Sequence, residues 1–254
     1  MAYTLITGVT SGIGLALSEQ FASKGHNLVL VARRMEALKE VSEHLKSAYP
    51  DVKIESIVMD LAEEDVGRRL LWIVSSMNYD IDVLINNAGI GFVGKFEDVS
   101  IESYEEMMHL NMNALCEITH AFIPMLKKNH GAIINVASNG AFHPGPYTAN
   151  YYATKAYVLH LTKALRMELK KDGVRVSALC PGATVSDFCR KAGKRQIKGS
   201  MSAEDVAKST YQGFKKNKAV IIPGFFNKLV MVCPTKLRSY AIYYSQQKLS
   251  EQKD

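Results

Sequence analysis

A chain of 254 residues with 47% hydrophobic content can bury one substantial core, and no apolar run approaches the roughly 20 residues a membrane-crossing helix needs. The formal charge of +6 is uneven, because residues 187–254 hold fourteen Lys/Arg against five Asp/Glu, so they carry +9 and the rest −3. No nucleic-acid motif accompanies that charge, the seven His form no HxxxH or HExxH pair, and the four Cys lack CxxC spacing. These absences argue against a nucleic-acid partner, a metal site and a disulfide framework. The basic quarter reads first as a solvated surface. The opening residues, MAYTLITG, enter an apolar strand with no basic segment or cleavage site ahead of it, so a cytoplasmic location is expected.

In chain order, apolar runs alternate with helical patterns. YTLIT precedes IGLALSEQFASKG, where Ile13, Leu17 and Phe21 recur at i+4 and Gly25 supplies a stop. NLVLVA leads into RRMEALKEVSEHLKSAY, with Leu38, Val41 and Leu45 on one face. KIESIVM, DVLIN, GAIINVA, RVSALC and AVIIP follow as further strands with helical segments between them. Continuous Val/Ile/Leu runs suit strands covered on both faces, so the order predicts α/β architecture, a doubly wound parallel sheet flanked by helices in one domain over 1–224. After Gly224 the tail, 225–254, mixes aromatic and aliphatic residues with Lys and Arg, and Pro234 interrupts any helix. It is read as packing on the same domain, on a partner subunit, or weakly on a membrane surface.

Between the first strand and helix lies TGVTSGIG, with Gly8, Gly12 and Gly14. A strand-to-helix turn that receives a pyrophosphate needs backbone N–H groups that can approach it, which glycine permits, and the helix N-terminus favours the negative charge. The second strand ends LVLVARR, with no Asp or Glu for a ribose 2′-hydroxyl. Arg33, and beside it Arg34, can instead clamp a 2′-phosphate, so NADP(H) is expected over NAD(H). Asp60, ending the third strand in IVMDL beside Leu61, is placed for the adenine edge.

TGVTSGIG (7–14), NNAG (86–89), Asn111 in LNMNALCEIT, Ser138 in INVAS, YYATK (151–155) and PGAT (181–184) occur in that order. Together they resemble the short-chain dehydrogenase/reductase family, from about Tyr3 to Gly224. The resemblance implies a single-domain Rossmann fold, often a homodimer or homotetramer, and an oxidoreductase acting on alcohols or carbonyls with NADP or NAD. It implies Tyr151 as general acid/base and Ser138 as the group orienting the substrate carbonyl. Lys155 would assist Tyr151 and hold the nicotinamide ribose, and Asn111 would complete a water-linked proton relay. Asn113 competes for that last position, but the family register favours Asn111. Cofactor contacts are implied for the turn residues Ser11 and Ile13, for Ala88 and Gly89, and for Pro181, Gly182 and Thr184. Asn87 is expected to brace the central strand. Ser11 stands where some NADP-preferring members carry a basic residue, which places more of the specificity on Arg33.

A phenol with pKa ≈ 10 is a poor base at neutral pH, but Lys155 is four residues on and shares a helix face with Tyr151, so its charge favours the phenolate. In carbonyl reduction Tyr151 would protonate the developing alkoxide while the Ser138 hydroxyl stabilises it. A cofactor-sensing protein that had lost catalysis would be expected to show a broken Ser/Tyr/Lys/Asn set, and this one is complete. The resemblance implies a small carbonyl or alcohol compound as substrate, and the loops NGAFHPGPYTAN and 183–200 are expected to border its pocket. Phe142, Tyr147 and Phe188 from those loops suggest a medium-sized, partly apolar substrate.

Overall fold

The structure is a computed structural model, and it describes residues 2–185 and 200–250. Seven parallel strands form one sheet in the order β3-β2-β1-β4-β5-β6-β7. They are β1 (Ala2–Thr7), β2 (Asn27–Ala32), β3 (Ile54–Val58), β4 (Asp80–Asn86), β5 (Ala132–Val136), β6 (Arg175–Leu179) and the short β7 (Val220–Ile221). The order reverses between β1 and β4, and in open α/β sheets the crevice at such a point is where ligands bind.

Successive strand residues face opposite sides of a sheet, which explains why inner strands such as β1 and β2 read as apolar runs, while the edge strand β3 (IESIV) carries Glu55 and Ser56. Ile6, Leu28 and Leu30 pack on one side with α1 (Gly12–Ala22) and α2 (Met35–Ala48). Their neighbours Leu5, Val29 and Val31 pack on the other, under α3 (Val66–Ser76) and α5 (Leu115–Lys128). The Gly25 stop takes its expected form: the residue has φ +80° and donates to Ala22 O, one turn past the end of α1.

A short helix, α4 (Ile101–Met108), runs through a π turn (His109–Ala114) into α5. The long α6 (Ala149–Glu168) follows β5, and α7 (Ala203–Lys215) precedes β7. Pro234 breaks the tail as its chemistry requires, separating α8 (Phe225–Val232) from α9 (Thr235–Ser250). No helix among the described residues is long and apolar enough to cross a membrane.

One buried feature has no counterpart in the apolar pattern. Asn86 and Asn135 are register partners on β4 and β5. Asn86 Nδ2 donates to Thr119 Oγ1 and to Asn135 Oδ1, each at 2.9 Å, and Asn135 Nδ2 donates to Thr162 Oγ1 at 3.0 Å. This row of amides and hydroxyls pins α5 and α6 to the middle of the sheet, close beneath the strand ends that carry the site.

Candidate active site

The glycine turn is held by a close approach of backbones. Gly8 has φ +71°, and a Cβ there would sit 2.8 Å from Ala88 Cα. At Gly14 a Cβ would strike the Gly8 carbonyl oxygen and lie 2.5 Å from Asn87 Nδ2. The first turn of α1 has no side-chain cap, since Ser11 at the N-cap makes no such bond, so its N–H groups face the cavity.

Asn87 holds this turn and ties it to the end of the central strand β1. Its Nδ2 donates to Thr7 O and Gly8 O at 2.9 Å, and the Asn87 and Ala88 N–H groups both donate to Thr7 Oγ1 at 3.0 Å. Its neighbour Asn86 braces the other side, from β4 to β5. The reason is strand alternation: Asn86 is the last strand residue and points into the α5 side, while Asn87 has already left the strand toward β1.

At the far end of the crevice, Arg33 Nη1 lies 3.5 Å from Asp60 Oδ2 and 3.7 Å from Glu106 Oε1. Arg34 reaches Thr10 Oγ1 at 3.5 Å, and Asp60 Oδ1 accepts from Ala62 N at 3.0 Å. The expected cation is therefore present, and it is already shared between two carboxylates. Glu106, on α4, was not legible as a site residue because no strand-end or glycine pattern marks it.

At the near end, Ser138 follows β5 and caps the 3₁₀ turn Asn139–Phe142, its Oγ accepting from Gly140 N at 3.1 Å. Acceptance of that bond leaves the hydroxyl proton available for another partner. Tyr151 and Lys155 come from the first two turns of α6. Lys155 is buried, donates from Nζ to Val136 O at 2.9 Å, and holds Nζ 5.8 Å from the centre of the Tyr151 ring. Burial pushes its pKa down to about 8.

Asn111 lies in the π turn and is buried, whereas Asn113 is exposed. Its Oδ1 accepts from Ile90 N at 2.9 Å, and its Nδ2 donates to Ile90 O at 2.9 Å and to Thr154 Oγ1 at 3.1 Å. The Thr154 hydroxyl donates in turn to Tyr151 O at 2.8 Å. The Asn111 amide thus locks the loop after β4 against the start of α6, and it stands behind the cavity wall.

Both ends open into one cavity of about 590 Å3, within the size range of small-molecule and cofactor sites. Gly8, Ser11, Gly12, Ile13 and Gly14 line it, with Arg33, Arg34, Asp60, Leu61 and Asn87–Gly89. Ser138, Tyr151, Lys155, Pro181, Gly182 and Thr184 complete the wall expected from the sequence.

The aromatic substrate loop requires correction. Phe142 does not line the cavity but packs against the cluster of Leu115, Ala137 and Val158. Tyr147, at φ +61°, turns away as well and sets its ring 5.8 Å from that of Tyr243 in the tail. Phe188 lies outside the described residues. The side chains found at that end are His143, Tyr152 and Ile242. Tyr152 is wedged between Gly140 and Gly145, where a Cβ at either position would meet its ring. Ile242 arrives from α9, so the tail contributes to the cavity wall.

A family model described as short chain dehydrogenase matches residues 2–197. The chain belongs to the short-chain dehydrogenase family. It is an oxidoreductase of that family, whose members use NAD(P). Serine 3-dehydrogenase of Agrobacterium fabrum is 30% identical over 217 residues, covering 82% of this chain and 85% of that protein. Sulfoacetaldehyde reductase 2 of Chromohalobacter salexigens is 33% identical over 187 residues, covering 72% and 73%. Among solved structures, a short-chain dehydrogenase from Sphingobium yanoikuyae in complex with NADPH superposes with a TM-score of 0.82. That structure is 31% identical and covers 99% of this chain and 96% of its own. The bulky-bulky ketone specific alcohol dehydrogenase from Comamonas testosteroni gives 0.77 at 31% identity, covering 91% and 92%. Among the described residues of this short-chain dehydrogenase, no group of His, Cys, Asp and Glu is arranged to hold a metal ion.

Proposed function

We propose that this short-chain dehydrogenase reduces a ketone or aldehyde to an alcohol, with NADPH preferred to NADH and Tyr151 as the proton donor. The observation that carries the reading is the buried Lys155 ammonium beside Tyr151, in the same cavity as Ser138 and the glycine turn. The residues fit a dinucleotide: the Gly8/Gly14 cradle leaves no room for a Cβ, and the uncapped α1 N-terminus suits a pyrophosphate. Arg33 suits a 2′-phosphate. The dihydronicotinamide, when bound, supplies the hydride to the carbonyl carbon.

The chain's own groups handle the proton and the charge. Ser138 donates its hydroxyl hydrogen to the substrate oxygen, a bond that strengthens as negative charge builds there. Tyr151 transfers its phenolic proton to that oxygen, so the alkoxide leaves as the alcohol and Tyr151 is left as phenolate. With a pKa of about 8, Lys155 remains largely charged at pH 7 and stabilises that phenolate. Asn111, its amide spent on Ile90 and Thr154, holds the start of α6 in register, and any relay role falls to its backbone carbonyl. Residues 1–224 carry the cofactor and the catalytic groups, and the tail closes the substrate end through Ile242. The preference for NADPH is in line with the Sphingobium relative, whose structure holds NADPH.

Tyr151→Phe removes the proton donor while keeping the ring. Loss of general acid catalysis of this kind costs about 10²–10⁴ in rate, with NADPH affinity retained. NADPH oxidation over a panel of ketones and aldehydes measures it. Near wild-type turnover in the variant refutes the mechanism, and NADPH binding by the wild type without turnover of any carbonyl refutes the activity.

A further inference from the structure

His143 lines the substrate end of the cavity, has no part in the mechanism above, and is held by two contacts. Its Nδ1 lies 3.1 Å from Pro144 O. A carbonyl oxygen only accepts, so Nδ1 carries the hydrogen and donates it, and in the neutral ring Nε2 is then the acceptor. The ring also packs edge-on against Tyr152, 5.5 Å between centres, and Tyr152 is itself wedged between Gly140 and Gly145. The imidazole therefore cannot turn freely, and its tautomer is set.

Two further facts bear on what it meets. Burial, with the charge of Arg238 adding to it, lowers the His143 pKa from its ordinary value against the opposing Pro144 bond, which keeps the ring neutral near pH 7. Among the described residues, no hydrogen-bond partner is found for Nε2. The half-buried ring stands with the Tyr152 ring and the aliphatic Ile242 in the cavity wall, and Arg238 is close enough for its charge to act on it. A lone acceptor in such a wall is costly to desolvate unless the substrate brings a donor to it.

We propose that His143 is a substrate-binding residue whose Nε2 accepts a hydrogen bond from a substrate hydroxyl, so that this enzyme selects hydroxylated carbonyl compounds over their apolar counterparts. The proposal rests on the carbonyl reductase reading above. A neutral acceptor offers nothing to a carboxylate or a sulfonate, so hydroxyketones are selected and keto acids are not selected through this group. The substrate hydroxyl goes to His143, while the reacting carbonyl oxygen goes to Ser138 and Tyr151.

Matched ketones test it on the full chain: 4-hydroxycyclohexanone against 4-methylcyclohexanone, and hydroxyacetone against butanone, each followed by NADPH oxidation. In the wild type the hydroxyl member is favoured in kcat/KM by about two- to tenfold, the size of one neutral hydrogen bond, and the difference sits in KM. In His143→Leu the ratio falls to about one, and in His143→Gln, which keeps an acceptor, it recovers in part. A ratio unchanged in His143→Leu overturns the proposal, as does a wild type with no hydroxyl preference. So does a His143→Gln enzyme that behaves like His143→Leu, because the ring's shape rather than its acceptor would then be responsible. If no ketone of either kind oxidises NADPH, the reductase reading itself fails. Turnover of both kinds without a difference removes the His143 assignment alone.

Discussion

Replacing Arg33 by alanine tests the cofactor assignment most directly. Under the proposed assignment Arg33 separates a 2′-phosphate from a 2′-hydroxyl, because Asp60 and Glu106 beside it are anionic. A hydrogen bond to a charged group contributes about 1.5–3 kcal/mol. Here the guanidinium is 60% exposed and already lies 3.5 Å from Asp60 and 3.7 Å from Glu106. Water screening and carboxylate competition place the loss in the lower half of that range, about 1.5–2 kcal/mol, or roughly 10- to 30-fold in Kd.

The same geometry predicts the opposite sign for Glu106→Gln. The Glu106 carboxylate lies 3.7 Å from the Arg33 guanidinium and repels a phosphate held there, by about 1 kcal/mol in a water-like dielectric, so its removal tightens NADPH binding by about three- to tenfold. NADH, without that phosphate, changes little in either variant. Fluorescence titration of NADPH and NADH into the wild type and both variants at one fixed ionic strength measures these affinities, and added salt shrinks both effects. Equal weakening of NADPH and NADH in Arg33→Ala would show that Arg33 supports the turn rather than reading the phosphate. No change in either would remove Arg33 from the site.

Two further outcomes follow from the near end of the cavity. Burial lowers the Lys155 pKa from 10.5 to about 8, so between those values the unfolded chain binds the proton that the folded chain has released. The stability of the wild type relative to Lys155→Met therefore rises as pH climbs from about 8 to about 10.5, by at most about 3 kcal/mol, and is flat below that window. Denaturant unfolding of both proteins at pH 7 and pH 10 measures the change, and a constant difference refutes it. Gly14→Ala drives a Cβ into the Gly8 carbonyl and the Asn87 amide, so the turn must open. The melting temperature falls, by an overpacking cost of about 1–3 kcal/mol, and NADPH and NADH lose affinity together. A stable variant with unchanged affinity for both would refute the close-approach account.

What the sequence determined by itself is the part carried by local pattern. Unbroken runs such as NLVLVA announced strands buried on both faces, and TGVTSGIG announced a turn needing positive φ and backbone approach. Arg33, Asp60, Ser138, Tyr151 and Lys155 were legible because each stands at a strand end or one turn into a helix that a pattern locates. Proline chemistry likewise marked the break at Pro234.

The tertiary structure decided which side chains meet. Glu106 joins Arg33 across 73 residues of chain, and Asn86 rather than Asn87 reaches Asn135, because the pleat turns adjacent residues to opposite sides. The substrate wall was misread for the same reason. Phe142 and Tyr147 have the right chemistry and the right loop, but one is drawn into the core and the other toward the tail. His143, between them in sequence, is held at the cavity by the Pro144 carbonyl and the Tyr152 ring, with Ile242 entering from 99 residues away. Burial and side-chain direction depend on the whole packed arrangement, and no window of a few residues contains them.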